Sequence, residues 1–102
     1  MDWWNAQDNW NIIEHAKKSD TKNYSYIWFH IENMSSAHII LEFTKKEKLT
    51  KQIINECAMI CKEHSKCKSY PSARVIYTDV KNVSKAGDIG SVYTKKTNLV
   101  II

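Results

Sequence analysis

Glycine, proline and arginine are scarce in this chain: two glycines, one proline and a single arginine, Arg74, among 102 residues. So little glycine and proline leaves no room for long flexible or low-complexity linkers. Three cysteines, an odd number, do not make the paired framework of a small secreted domain. No run of about 18 apolar residues is present, and the opening MDWWNAQDNW is too polar for a signal peptide. These absences point to a cytoplasmic location, with the nucleus as the alternative, and to no membrane partner. What is present is an ordinary globular composition, 43% hydrophobic and 25% charged, which argues against disorder. A chain of 102 residues suits one domain, burying roughly 60–65% of its unfolded surface. The net charge of +4 and pI near 9.0 are compatible with nucleic acid or another acidic partner. Charge alone does not choose among them.

The chain is organised around residues 26–43. Two apolar-alternating runs, 26–32 and 37–43, flank the polar Asn33-Met34-Ser35-Ser36, which is the pattern of a β-hairpin. Ile27, Phe29 and Ile31 share one face, as do Ile39, Leu41 and Phe43, and a one-residue slip would carry one set to solvent. The register that joins them sets Ile27 opposite Leu41 and Phe29 opposite Ile39. It also sets Trp28 opposite Ile40 and His30 opposite His38 on the other face. The hydrophobic effect therefore predicts a surface bearing an aromatic ring and two histidines.

Before the hairpin, Asp8 is a plausible cap for a short helix over about residues 9–17, with Trp10, Ile13 and Ala16 on its inner stripe. After it, a helix over about residues 50–65 is the main amphipathic element. Thr50 is its cap, and Ile53, Ile54, Cys57, Ala58, Ile60 and Cys61 lie at helical spacing. Residues 73–78, ARVIYT, are rich in strand formers. Residues 80–89 form a turn-bearing segment with Lys81, Asn82 and Lys85. Residues 91–94 and 99–102, joined by Lys95-Lys96-Thr97-Asn98, read as a second hairpin. The expected fold is α+β: a mainly antiparallel sheet built from hairpins, packed by one long amphipathic helix and a short N-terminal helix.

The stretch IWFHIENMSSAHIIL at 27–41 resembles the signature of the NFACT-R domain family, the RNA-binding module of ribosome quality-control factors. Its Ser35-Ser36-Ala37-His38 string is most similar to the family's stand-alone eukaryotic branch, where the wider family usually has Pro-Gly-Ser-His. VIYTDVKNVSK at 75–85 resembles the family's strand and Lys-rich turn, and GSVYTKKTNLVII at 90–102 its closing hairpin. The resemblance covers the chain from about Asn5 onward as a single domain, residues 1–102. It departs from the pattern in three ways: the family's first strands ahead of Asn5 and the branch's charged coiled-coil tail are not seen in this sequence, and Glu42 stands where many relatives place a basic residue. The resemblance implies RNA binding, with ribosomal or transfer RNA and translation quality control as the expected setting.

Several side chains are candidates for that contact. His30 and His38 are open to three readings: a polar pair at a nucleic-acid surface, an acid–base pair of an RNA-processing enzyme, or a structural network beneath the hairpin turn. Trp28, with Tyr26 and Tyr77, offers either stacking planes for unpaired bases or packing beneath a helix. Ser35 and Ser36 hold a phosphate or cap their own turn. Lys81, Asn82 and Lys85 lie on a loop of the kind that carries binding groups, and Arg74 joins them as the chain's only arginine. The run Lys45, Lys46, Lys48 and Lys51 reads as a solvated approach to the helix. Cys57, Cys61, His64 and Cys67 lack the separated Cys-x-x-Cys knuckles of a zinc site, and two of the cysteines fall on the apolar stripe. No metal, cofactor or catalytic residue is expected. The function expected is an RNA-binding module that holds the phosphate backbone without catalysis. A protein-interaction adaptor for ribosomal proteins is the alternative, and an RNA-processing enzyme using His30 and His38 a more distant one.

Overall fold

A computed structural model of the chain describes residues 6–19, 24–32, 38–44, 46–86 and 92–102, the side chains of residues 6–10, 19 and 85 excepted. Two helices, six strands and a short 3₁₀ turn follow in the order α1 (Ala6–Ser19), β1 (Tyr24–Ile31), β2 (Ile39–Thr44), α2 (Lys51–Glu63), β3 (Arg74–Asp79), the 3₁₀ turn (Val80–Asn82), β4 (Val83–Lys85), β5 (Val92–Thr94) and β6 (Asn98–Ile101). Among the described residues no helix is long and apolar enough to cross a membrane.

The main sheet has four strands in the order β2-β1-β3-β6, and every neighbouring pair is antiparallel. The first hairpin has the register that its apolar alternation demands: Ile27 pairs with Leu41, Trp28 with Ile40 and Phe29 with Ile39. Any one-residue slip would turn Phe29, which is fully buried, out of the core. On the face of Ile27, Phe29 and Ile31, α2 lays down Cys57, Ala58 and Cys61, with Cys67, Ala73 and Val75 closing the cluster. Phe29 stacks across the strands on Tyr77, with ring centroids 5.5 Å apart.

Thr50 starts α2 as a cap, its hydroxyl accepting from the Ile53 N–H at 3.2 Å. That hydroxyl satisfies one of the N–H groups a helix start leaves unpaired. The opposite sheet face is covered as well. There Ile13 and Ala16 of α1 pack on Tyr26 and Trp28, together with Val80 and Val83 from the corner after β3.

Four expectations need correction, three of them in the helices. The helices are of nearly equal length, 14 and 13 residues, so the fold is α+β without one dominant helix. The first begins at Ala6, which puts Asp8 inside its first turn instead of at the cap. Of the expected stripe of α2, Ile60 faces outward at 45% exposure, because the stripe that meets the sheet runs through Cys57, Ala58 and Cys61.

The second hairpin does not form. β5 pairs with β4 in a separate two-stranded sheet, and β6 pairs with β3 at the edge of the main one. Both apolar runs do contain strands, Val92–Thr94 and Asn98–Ile101. Their partners are set by Val75 opposite Val100 and by Val83 opposite Thr94, contacts that no local pattern reveals.

Replacing Phe29 with alanine should cost about 3–5 kcal/mol, whereas Ile60→Ala should cost less than about 1 kcal/mol because little burial is lost. Urea unfolding of both variants separates the two positions, and equal losses would contradict this packing.

Candidate nucleic-acid interface

The candidate side chains divide between the two ends of the main sheet. Along β3, Arg74 and Asp79 lie at opposite ends of a six-residue strand, a span of roughly 17 Å at about 3.3 Å per residue. His30 pairs with Ile76 and Ile31 with Val75, toward the Arg74 end. His38 directly precedes β2 at that same end. Lys81 and Asn82 lie past Asp79, at the other. Ser35 and Ser36 lie outside the described residues, as does the side chain of Lys85.

Trp28 is 1% exposed and His38 is 3% exposed. α1 and the corner after β3 close over Trp28, and His38 packs edge-on against that ring, so neither ring has a free face for a base. Burial obliges the indole N–H to find a partner, and Trp28 Nε1 donates to His38 Nδ1 at 3.1 Å. The ring of His38 meets Trp28 edge-on at 5.5 Å and His30 edge-on at 4.7 Å, while His30 lies parallel to Trp28 at 5.5 Å. One indole and two imidazoles thus form a single packed cluster.

An imidazole nitrogen that accepts a hydrogen bond carries no proton, so Trp28 specifies a neutral His38. Burial, reinforced by neighbouring His30, pushes the His38 pKa down to about 3. Burial also lowers that of His30, with a partial offset from a hydrogen bond to the Ile31 backbone. At neutral pH neither ring supplies positive charge to an anion. An acid–base pair needs both substrate access and a titration near working pH, and buried His38 has neither.

At the Arg74 end, Arg74 Nε donates to Glu32 Oε1 at 2.8 Å in a surface ion pair, which neutralises much of its charge. On the hairpin, Glu42 accepts from the Tyr26 hydroxyl at 2.5 Å. The acidic residue at this position therefore serves its cross-strand neighbour, with which it is paired in register. Tyr26 is itself buried.

At the other end, Asp79 caps the 3₁₀ turn by accepting from the Lys81 N–H at 2.9 Å, and Lys81 is exposed. Asn82 is half-buried, and its amide donates to the Thr78 hydroxyl at 3.0 Å. That hydroxyl reaches the carbonyls of Lys95 at 3.4 Å and Lys96 at 3.2 Å. Lys95 and Lys96, which sequence reading took for the turn of a hairpin, are thereby brought beside Lys81. A Lys-Lys pair at a turn was the available signal; its neighbour was not.

The cysteines lie in apolar surroundings. Cys57, Cys61 and Cys67 are all buried and form no disulfide. Burial, with Glu56 nearby, pushes the Cys57 thiol up, opposite to the direction a nucleophile needs. Among the described residues no group of three or more His, Cys, Asp or Glu side chains is placed to hold a metal ion.

Three comparisons bear on this geometry. The sequence matches the family described as the NFACT protein RNA binding domain over residues 5–97. It is 37% identical over 87 residues to coiled-coil domain-containing protein 25 of Mus musculus, covering 80% of this chain and 38% of that protein. Its homolog in Dictyostelium discoideum is 31% identical over 81 residues, covering 72% of this chain and 39% of that protein. The chain thus spans less than two-fifths of the length of these relatives. In structure it resembles the C-terminal part of the fibronectin/fibrinogen-binding protein from Streptococcus suis, with a TM-score of 0.74 over 96% of this chain and 37% of that one. At 17% identity that likeness concerns the fold alone.

The stability that neutral His38 contributes is complete above its unfolded pKa of about 6.5 and is lost as pH falls toward its folded value of about 3. Between pH 7 and 5 the loss should reach about 2 kcal/mol, since the unfolded chain takes up the proton first. A His38→Gln variant should be less stable at pH 7 but flatter across that range. Urea unfolding at both pH values checks this, and parallel losses in the two proteins would refute it.

Proposed function

Because the chain belongs to the NFACT protein RNA binding domain family, we propose that it is an RNA-binding module working on ribosomal or transfer RNA in translation quality control. The match over residues 5–97 is the observation that carries nucleic-acid binding. The setting on ribosomal or transfer RNA rests on the resemblance of 27–41 and 75–85 to the family's signature. A cytoplasmic place of action is part of this proposal.

The mechanism is electrostatic. Positive charge on exposed turns draws in the phosphate backbone and releases its counterions, while base-specific readout is not part of it. The contact centres on the Lys81–Lys85 segment, where Lys81 is exposed on a capped turn. His30, half-buried beside Ile76, belongs to the opposite end with Arg74 and would touch a second stretch of the same strand; Ser35 and Ser36, outside the described residues, remain candidates from the sequence. Trp28 and His38 act from beneath, by holding β1 and the start of β2 in place. No chemical step on the RNA is involved.

Binding of a labelled structured RNA, followed by fluorescence anisotropy between about 50 and 200 mM salt, tests the reading. With about three phosphates neutralised, log K should fall against log salt with a slope of about −2 to −3. No binding at low salt, or a slope near zero, would remove RNA as the partner. Sedimentation of the protein with ribosomes from a cell extract tests the finer setting.

A further inference from the structure

The turn between β5 and β6 is held in a conformation that only the tertiary structure explains. Lys96 has a φ of 49°, the one positive value at a non-glycine residue among those described. A side chain with a Cβ in the left-handed region is disfavoured, so something must hold it there. The hold comes from Thr78, which is 3% exposed. Its hydroxyl accepts from the Asn82 amide at 3.0 Å and shares its proton between the carbonyls of Lys96 at 3.2 Å and Lys95 at 3.4 Å. The Lys95 N–H in turn donates to the Asn82 carbonyl at 3.0 Å.

Three hydrogen bonds thus tie the Lys95–Lys96 turn to Thr78 and Asn82, and a fourth joins those two residues at the corner that presents Lys81. All three lysine side chains are exposed. The negative group at this corner, Asp79, has an oxygen engaged by the Lys81 N–H at 2.9 Å.

From this geometry we propose that Lys95 and Lys96, with Lys81, form one built phosphate-binding site for an RNA backbone, and that Thr78 and Asn82 are its positioning residues. This deepens the RNA-binding reading above and rests on it. Lysines on separate mobile loops attract a polyanion only diffusely. Here the two backbones are bonded to each other before any ligand arrives, so the charges are gathered in advance and binding does not have to order the turns. It also accounts for Asn82, whose amide faces Thr78 and so serves the site without touching the ligand.

The test is anisotropy of the whole chain with a labelled RNA across a salt series, with thermal melts on every variant. The double variant K95A/K96A should bind about tenfold more weakly or worse, and its salt slope should be shallower by about 1.5 to 2. The control K66A/K68A removes equal charge from exposed lysines in the loop leading to β3 and should lower affinity and slope less than K95A/K96A does. Thr78→Val keeps the net charge yet should lose affinity several-fold, and Thr78→Ser, which keeps the hydroxyl, should restore it. If Thr78→Val unfolds, Asn82→Ala takes its place.

K95A/K96A binding like the unaltered chain, or losing no more than K66A/K68A, overturns the site while leaving RNA binding intact. Thr78→Val and Asn82→Ala both binding normally overturns the positioning role. An unaltered chain that binds no RNA at any salt overturns the RNA-binding reading and this site with it.

Discussion

Strand β1 has a strand on each side and a helix over each face, and that double burial constrains the side chains around it. Residues 26–29 are buried in succession, so alternation along this strand separates two cores instead of core from solvent. Trp28 on the second core brings a polar N–H into a site that excludes water. An unpaired donor there would cost about 1–3 kcal/mol, and His38 Nδ1 supplies the acceptor. One hydrogen bond therefore joins the centre of β1 to the residue that opens β2, and it works only while His38 is neutral. What resembled a binding surface in the sequence has at its centre a buried hydrogen bond between Trp28 and His38.

With both faces of the central strands covered, charge is displaced to the ends of the sheet. At one end Arg74 is spent on Glu32. At the other, Lys81, Lys95 and Lys96 are exposed on turns bound through Thr78 and Asn82. Hydrogen bonds through Thr78 and Asn82 fix the Lys95–Lys96 turn to this corner, which is where the proposed phosphate contact lies.

Much of this was legible in advance. Ile27, Phe29, Ile31, Ile39, Leu41 and Phe43 dictated the hairpin register to the residue, because a strand's side chains alternate and a slip would invert them. Thr50 announced α2, and the strand formers of 73–78 announced β3. The resemblance of 27–41 and 75–85 to a known signature named the family that the comparisons also show. Asn82, by contrast, looked like a ligand contact and is a fastener, since its type does not tell where its amide points.

Local periodicity and capping chemistry, which act over a few neighbouring residues, are what the sequence by itself determined: the elements, the first hairpin's register and the composition of each strand face. Only the tertiary structure decided what lies over those faces and which distant segments meet. It put α1 over Trp28, parted β5 from β6, and drew Lys95 and Lys96 to Lys81 across more than a dozen residues of chain. Those outcomes depend on burial summed over the whole molecule and on single long-range hydrogen bonds such as that of Thr78, and neither leaves a repeating mark in the order of the amino acids.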